Sequence, residues 1–154
     1  MDLSDLLTVE AILPSLKVSS KKQAVQELSE RAAALTGLPA RAIFETLLQR
    51  ERLGSTGVGH GVAIPHGKLP GLPRICGLFA RLDKAIDFEA LDEEPVDLIF
   101  LLLAPEGAGA DHLKALARIA RVLRDSDTAA KLRATADPAA LYALLTHPAT
   151  SNAA

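Results

Sequence analysis

The stretch PVDLIFLLLAP, residues 95–105, decides the fold of this chain. It contains an unbroken apolar run from Leu98 to Ala104, which has the length of a buried strand. Successive residues of a strand face opposite sides, so an unbroken run indicates a strand that is covered on both faces. We therefore expect a sheet buried between helices, with the stretch ICGLFARL, residues 75–82, as a second strand.

Helical patterns precede these strands. Ser20 stands three residues before Gln23, which is a capping-box spacing, and apolar residues then recur at helical spacing up to Gly37. Pro39 stands where a second helix can begin, and that helix is expected to end at Gly54. Residue 50, an arginine, would then lie in its last turn.

A third helix is predicted after the turn EGAGAD, residues 106–111. Its apolar face is expected to consist of Leu113, Leu116, Ala117, Ala120 and Leu123. His112 would stand in its first turn. Two shorter helices are expected, one near residues 129–134 and one that starts at Asp137-Pro138.

The length and composition predict one α/β domain. A chain of 154 residues with 49% apolar residues is long enough to bury a core. We place this domain at residues 1–146 and expect residues 147–154, HPATSNAA, to form a disordered tail.

The charge balance disfavours two classes of partner. With 17 basic and 19 acidic residues, the net charge of −2 predicts no attraction to nucleic acid or to an anionic membrane. No apolar run approaches the ~20 residues of a membrane span, and the start MDLSDLLTVE lacks the features of a signal peptide. We therefore expect a cytoplasmic protein without membrane insertion.

Function is expected in the glycine-rich stretch GSTGVGHGVAIPHGK, residues 54–68, which holds five of the ten glycines. A nucleotide-binding P-loop requires G-x-x-x-x-G-K-[ST], but Gly61 and Gly67 are one residue too far apart and Leu69 replaces the hydroxyl. The dinucleotide pattern G-x-G-x-x-G fails as well, because residue 62 is not glycine.

Two interpretations of the histidines remain open from the residues themselves. The first is a metal-binding protein or metal-dependent hydrolase with a site built from His60, His66 and His112, since imidazole is a common metal ligand, although the stretch itself contains no Asp, Glu or Cys. The second is a nucleophilic His66 that accepts a phosphoryl group, because neutral imidazole is available near physiological pH.

A phosphorylated histidine carries a dianion that needs hydrogen-bond donors. Glycine-rich backbone, hydroxyl groups and arginine can all supply them. The candidates for this role are Arg50, Ser55, Thr56, Gly67 and His112. Gly67 also leaves room beside the nucleophile for a docking partner. Each of these residues also has a plain structural interpretation, as a cap, a turn residue or a solvated side chain.

The blocks RERLGSTGVGHGVAIPHGK, FEALDEEPVDLIFLLLAP and DHLKALARIARVL resemble the enzyme IIA domain of the fructose and mannitol class. This domain belongs to the bacterial phosphoenolpyruvate-dependent phosphotransferase system, and the resemblance is strongest to its nitrogen-regulatory branch. It implies an α/β fold with a mixed central sheet flanked by helices. It also implies that His66 accepts the phosphoryl group, with His112 and Arg50 as its active-site partners.

The resemblance further implies partners and a role. A histidine phosphocarrier, HPr or its nitrogen-branch paralogue NPr, would donate the phosphoryl group, and no cofactor or metal would be required. The phosphorylation state would regulate targets such as potassium transport systems or sensor kinases. The alternative within this chemistry is a sugar-specific enzyme IIA that passes the group to an enzyme IIB. His60 departs from the pattern of the nitrogen branch, and it would affect the site if it faced His66.

Overall fold

The computed structural model describes residues 2–147, so residues 148–154 of the expected tail lie outside the described part. Two short 3-10 turns, Leu3–Asp5 and Val9–Ala11, precede the first strand. The strands are β1 (Ile12–Leu16), β2 (Gly57–Gly59), β3 (Val62–Ala63), β4 (His66–Leu69), β5 (Cys76–Ile86) and β6 (Val96–Pro105). The helices are α1 (Lys21–Thr36), α2 (Ala40–Arg52), α3 (Ala110–Arg124), α4 (Ser126–Arg133) and α5 (Pro138–Thr146).

The strands form one mixed sheet in the order β1-β5-β6-β3-β2, with β4 also paired to β6. Strand β5 is antiparallel to β6 and parallel to β1. Strands β3 and β4 follow each other along the same edge of β6 and are both parallel to it. The predicted mixed sheet flanked by helices is therefore confirmed.

Strand β6 is the centre of the core. All residues from Leu98 to Ala104 are buried, and since neighbours alternate between faces, the sheet is covered on both sides. The largest core side chains include Phe79 and Phe100, whose ring centroids lie 6.4 Å apart. The prediction made from the apolar run is correct.

The first two helices begin and end as their sequence signals predict. The Ser20 side chain accepts a hydrogen bond from the Gln23 backbone N–H, and Gly37 ends α1 in the left-handed conformation. The Gln23 side chain accepts hydrogen bonds from the backbone N–H and the hydroxyl of Ser19, and not from the backbone N–H of Ser20 that a capping box would use. Pro39 is the N-cap of α2, and Arg50 lies in the last turn of that helix.

Two helical details differ from the prediction. The buried residues of α3 include His112, Ala115, Ile119 and Val122, whereas Leu113 is 69% exposed. Ala117, also assigned to the apolar face, is exposed too. Leu123 is buried, and Leu116 and Ala120 pack against the core, as predicted, so Leu113 and Ala117 lie beyond one edge of the buried face.

Helix α4 begins earlier than expected, at Ser126. Asp125 accepts hydrogen bonds from both the backbone N–H and the hydroxyl of Thr128, and it therefore caps this helix. Asp137 caps α5 in the same way, as predicted. Within residues 2–147, no helix has the length and apolar character that crossing a membrane requires.

Candidate active site

His66 is the first residue of β4, where the chain joins the edge of the central strand. It pairs with Leu102 of β6, and the carbonyl of the preceding Pro65 accepts a hydrogen bond of 2.9 Å from the Leu102 N–H. The glycine-rich stretch is thus not the loop that the sequence predicts, because it contains β2, β3 and most of β4. This pairing fixes the backbone of His66 while its side chain remains half-buried.

Two hydrogen bonds determine the tautomer of His66. Its Nδ1 lies 2.8 Å from the carbonyl oxygen of Ile64, which can only accept, so Nδ1 carries the proton. Its Nε2 lies 3.3 Å from Nε of Arg50, which can only donate, so Nε2 offers its lone pair. His66 is therefore a neutral imidazole with a basic nitrogen directed towards a guanidinium group.

The position of Arg50 depends on the end of α2 and the turn that follows. Its Nη1 donates a 2.9 Å hydrogen bond to the carbonyl of Gly54. Gly54 has a φ angle of 151°, which other residues rarely adopt. One guanidinium group therefore contacts both the turn and His66.

Close packing of α2 on β4 brings Arg50 to His66. A Cβ atom at Gly67 would lie 2.7 Å from Cγ2 of Thr46, one helical turn before Arg50. The sequence suggested that Gly67 leaves room for a docking partner. The structure shows that the missing side chain makes room for α2.

His112 completes a group of three side chains. It lies in the first turn of α3, and its ring is 5.5 Å from that of His66 in an edge-to-face arrangement. The side chain is buried, and within the described residues nothing hydrogen-bonds to its Nε2. A buried imidazole nitrogen without a partner is costly, so this atom is available to a group that enters the site.

Both histidines are biased towards the neutral form. Burial lowers the pKa of His66, and the Arg50 charge lowers it further, against the opposing effects of the Ile64 carbonyl and Glu51. Burial also lowers the pKa of His112, with contributions from His66 and Lys68. At neutral pH the site therefore presents two unprotonated imidazoles.

The two predicted hydroxyl residues are engaged within the turn. Ser55 donates to the carbonyl of Phe88 at 2.8 Å and accepts from the Gly57 N–H at 3.0 Å. Thr56 is buried and donates through both its N–H, at 3.0 Å, and its hydroxyl to the Glu51 carboxylate. These contacts agree with the structural interpretation of Ser55 and Thr56.

Glu51 and Lys21 are the residues of this region that the sequence analysis missed. The Glu51 carboxylate is buried and lies 3.0 Å from the Lys21 ammonium, which also contacts Glu89 at 3.2 Å. The Lys21 ammonium lies 5.0 Å from the ring centroid of Phe88. A charged residue in the last turns of a helix is usually solvated. Lys21 and Glu51 are also 30 positions apart in the sequence, so no local pattern predicts that they pair.

His60 lies apart from the other histidines. Val62 pairs with Leu98, whereas His66 pairs with Leu102, so about 13 Å of strand separates Val62 from His66. His60 lies two residues before Val62 in the chain. The backbone N–H of His60 donates to Asp92 instead, at 2.9 Å. The interpretation of His60, His66 and His112 as a metal site is therefore not supported by residues 2–147.

The Cys, His, Asp and Glu side chains give no other candidate for a metal. Within residues 2–147, no three of them come together closely enough to hold an ion. The remaining chemistry of the site is that of one nucleophilic imidazole, one guanidinium group and one second imidazole.

The chain matches the family model "Phosphoenolpyruvate-dependent sugar phosphotransferase system, EIIA 2" over residues 5–147. It is 69% identical over 148 residues to a nitrogen regulatory protein of Bradyrhizobium diazoefficiens, which covers 96% of this chain and 97% of that protein. Both comparisons extend over the whole described sheet and its helices.

Solved structures agree with this match. The nitrogen regulatory protein IIA-Ntr from Neisseria meningitidis superposes with a TM-score of 0.89 at 35% identity, covering 94% of this chain and 99% of that chain. Enzyme IIA of the mannitol system from Escherichia coli, solved in complex with phosphorylated enzyme IIB, has a TM-score of 0.77. At 19% identity, with 91% of this chain and 98% of that chain covered, the second likeness concerns the fold alone.

Proposed function

Because the chain belongs to the EIIA 2 family of the phosphoenolpyruvate-dependent sugar phosphotransferase system, we propose that it is a nitrogen-regulatory phosphocarrier. His66 accepts a phosphoryl group from a phosphohistidine carrier, HPr or NPr. The phosphorylation state of His66 then regulates target proteins, such as potassium transport systems or sensor kinases. Residues 1–146 form the phosphocarrier domain in this proposal.

The observation that carries the proposal is the tautomer of His66. The Ile64 carbonyl holds the proton on Nδ1, so Nε2 carries no proton and its lone pair can attack. Nε2 attacks the phosphorus atom in line, the bond between phosphorus and the donor nitrogen breaks, and the donor imidazole keeps that electron pair. The Ile64 carbonyl then stabilises the positive charge that the His66 ring acquires.

Arg50 and His112 act on the transferred group. The guanidinium of Arg50, 3.3 Å from Nε2, supplies donors for phosphoryl oxygens, and charge-assisted hydrogen bonds of this kind are the strong ones. The His112 ring lies 5.5 Å from that of His66, and its Nε2 has no hydrogen-bond partner among the described residues, so as an N–H group it would be available to a phosphoryl oxygen. In phosphoryl transfer the protein contributes mainly positioning and charge stabilisation, and this arrangement provides both.

The regulatory part of the proposal follows from the charge that is added. A phosphoryl group brings a charge of about −1.5 to −2 at neutral pH to a site that now contains Arg50 and two neutral imidazoles. Such a change can create or abolish an interface through repulsion, desolvation or new hydrogen bonds. The relatives' name, nitrogen regulatory protein, supports this role over a purely metabolic one.

Intact mass spectrometry tests the transfer. The protein is incubated with phosphoenolpyruvate, enzyme I and a purified HPr-type carrier, beside the variants His66→Ala and His147→Ala. We expect the wild type and His147→Ala to gain one acid-labile phosphoryl group and His66→Ala to gain none. His147 is the matched control because it is exposed and follows α5. A folded wild type that gains no mass with either carrier would refute the proposal.

The second candidate function is that of a sugar-specific enzyme IIA, which passes the group to a cysteine of an enzyme IIB. The family model, which describes the EIIA component of a sugar phosphotransferase system, favours it. Phosphorylated protein mixed with purified enzyme IIB separates the two roles. Rapid transfer to the IIB cysteine would support sugar transport, whereas persistence of the phosphohistidine would support regulation.

A further inference from the structure

A buried polar cluster, which consists of Glu51, Lys21 and Thr56, adjoins Arg50 at the end of α2. Its centre is the Glu51 carboxylate, whose side chain is only 4% exposed. This carboxylate accepts two hydrogen bonds from Thr56 and contacts the Lys21 ammonium at 3.0 Å. A buried carboxylate is tolerated only when its oxygens are satisfied in this way.

The cluster closes the turn that orients Arg50. Glu51 and Thr56 are five residues apart, and their contacts bridge the segment 52–55 from the inside. The Gly54 carbonyl in this segment accepts the Nη1–H of Arg50, while Ser55 in the same segment is bound to Phe88. The turn is therefore fixed at two points, and its exposed carbonyl holds the guanidinium.

We propose that Glu51 is a positioning residue for the phosphoryl transfer, because its hydrogen bonds to Thr56 hold the Gly54 carbonyl where it orients Arg50 towards His66. This inference rests on the proposed function. Glu51 makes no hydrogen bond to His66 or to the guanidinium, and its direct effect on His66 is that its charge raises the pKa of that ring, so it orients Arg50 through the turn. Lys21 neutralises the carboxylate and contributes to stability rather than to the orientation of Arg50.

Four variants separate positioning from simple stabilisation. Glu51→Leu removes both the charge and the hydrogen bonds. In Glu51→Gln the amide oxygen can still accept from the Thr56 N–H, and the amide NH2 can donate to the Thr56 hydroxyl, so two hydrogen bonds remain although one is reversed. Lys21→Met removes the ion pair and leaves the hydrogen bonds. Glu45→Leu is the control, because Glu45 lies on the same helix in an exposed ion pair with Arg41.

The transfer rate is measured at a temperature at which circular dichroism shows every variant folded. We expect Glu51→Leu to accept the phosphoryl group about ten- to hundredfold more slowly, as a misplaced catalytic group does. Glu51→Gln, Lys21→Met and Glu45→Leu should stay within about threefold of the wild type, although Lys21→Met should unfold at a lower temperature. If Glu51→Leu keeps the wild-type rate, or if the rates of all variants follow their stabilities, the inference is overturned.

A spectroscopic measurement decides the matter without any transfer. The Nε–H signal of Arg50 in a ¹H–¹⁵N spectrum reports its hydrogen bond to His66. We expect this signal to be shifted or lost in Glu51→Leu and retained in Glu51→Gln and Lys21→Met. Should Glu51→Leu not fold, Thr56→Val replaces it and should disturb the same signal. An unchanged Arg50 signal would overturn the inference, whereas a wild type that accepts no phosphoryl group would refute only the proposed function.

Discussion

Replacing Gly67 by alanine should separate α2 from β4 and weaken the site without touching a chemical group. The new methyl group would lie 2.7 Å from Cγ2 of Thr46, about 0.8 Å short of the separation at which two carbon atoms attract each other. The backbone of Gly67 needs no left-handed angle, so the cost is steric. Overpacking of this kind costs about 1–3 kcal/mol.

The displacement should also reach Arg50, one turn further along α2. Its Nε lies 3.3 Å from His66, so a shift of about 0.8 Å in the wrong direction takes the pair beyond hydrogen-bonding distance. We expect a lower rate of phosphoryl acceptance together with a lower unfolding temperature, by about 2–4 °C for each kcal/mol. Thermal denaturation and the intact-mass assay measure the two effects on the same samples.

The variant Thr46→Ser supplies the decisive control, because it removes only the carbon atom that the new methyl group meets. Alone it should cost less than about 1 kcal/mol, since Thr46 is half-buried. Combined with Gly67→Ala it should restore most of the stability and the rate. A Gly67→Ala protein as stable as the wild type, or a double variant no better than Gly67→Ala, would refute the packing argument.

Two further predictions concern charge. In an NMR titration, His66 and His112 should both deprotonate below pH 6.5, because burial lowers each pKa, and in His66→Gln the pKa of His112 should move back up. Because these pKa values are lower in the folded protein, the unfolded chain binds more protons between about pH 6.5 and the folded-state pKa values. The free energy of unfolding should therefore fall as the pH drops through this range. A free energy of unfolding that stays constant there would contradict the lowered pKa values. Arg133→Met should lower the free energy of unfolding by about 1 kcal/mol in chemical denaturation, because Arg133 binds Asp97 at 2.9 Å and the His60 carbonyl at 2.8 Å. Its rate of phosphoryl acceptance should not change, and a reduced rate would show that the His60 region is coupled to the site.

The parts of the fold that the sequence predicts are those with local causes. The apolar run of β6 identifies a strand buried on both faces, and Ser20 and Gly37 delimit α1 through hydrogen bonds within a few residues. The strands of two to four residues between α2 and β5 are too short for a periodic signal. Strands β3 and β4 form along an edge of β6, and β2 pairs with β3, so all three depend on tertiary contacts.

The site residues also divide into those that a local sequence pattern predicts and those that depend on tertiary contacts. His66 stands out by its glycine-rich surroundings, and Arg50 and His112 by their places at helix ends and by family resemblance. Glu51 could not be found, because its burial depends on Lys21 and Thr56, which only the fold brings to it. The face of α3 was only partly misassigned, since Leu123 is buried as predicted, but the buried residues also include His112, Ala115, Ile119 and Val122.

The geometry of Arg50 limits how the proposed transfer can proceed. Arg50 donates to the same Nε2 lone pair that attacks phosphorus, so this hydrogen bond must break as the new bond forms. The second hydrogen bond, from Nη1 to the Gly54 carbonyl, can persist and let the side chain rotate from the nitrogen to a phosphoryl oxygen. Until a donor arrives, burial and, to a lesser degree, the Arg50 cation lower the pKa of His66 and keep its imidazole unprotonated. In the proposed transfer, Arg50 therefore disfavours protonation of the free imidazole and stabilises the phosphorylated one, and the transfer requires a rotation of its side chain.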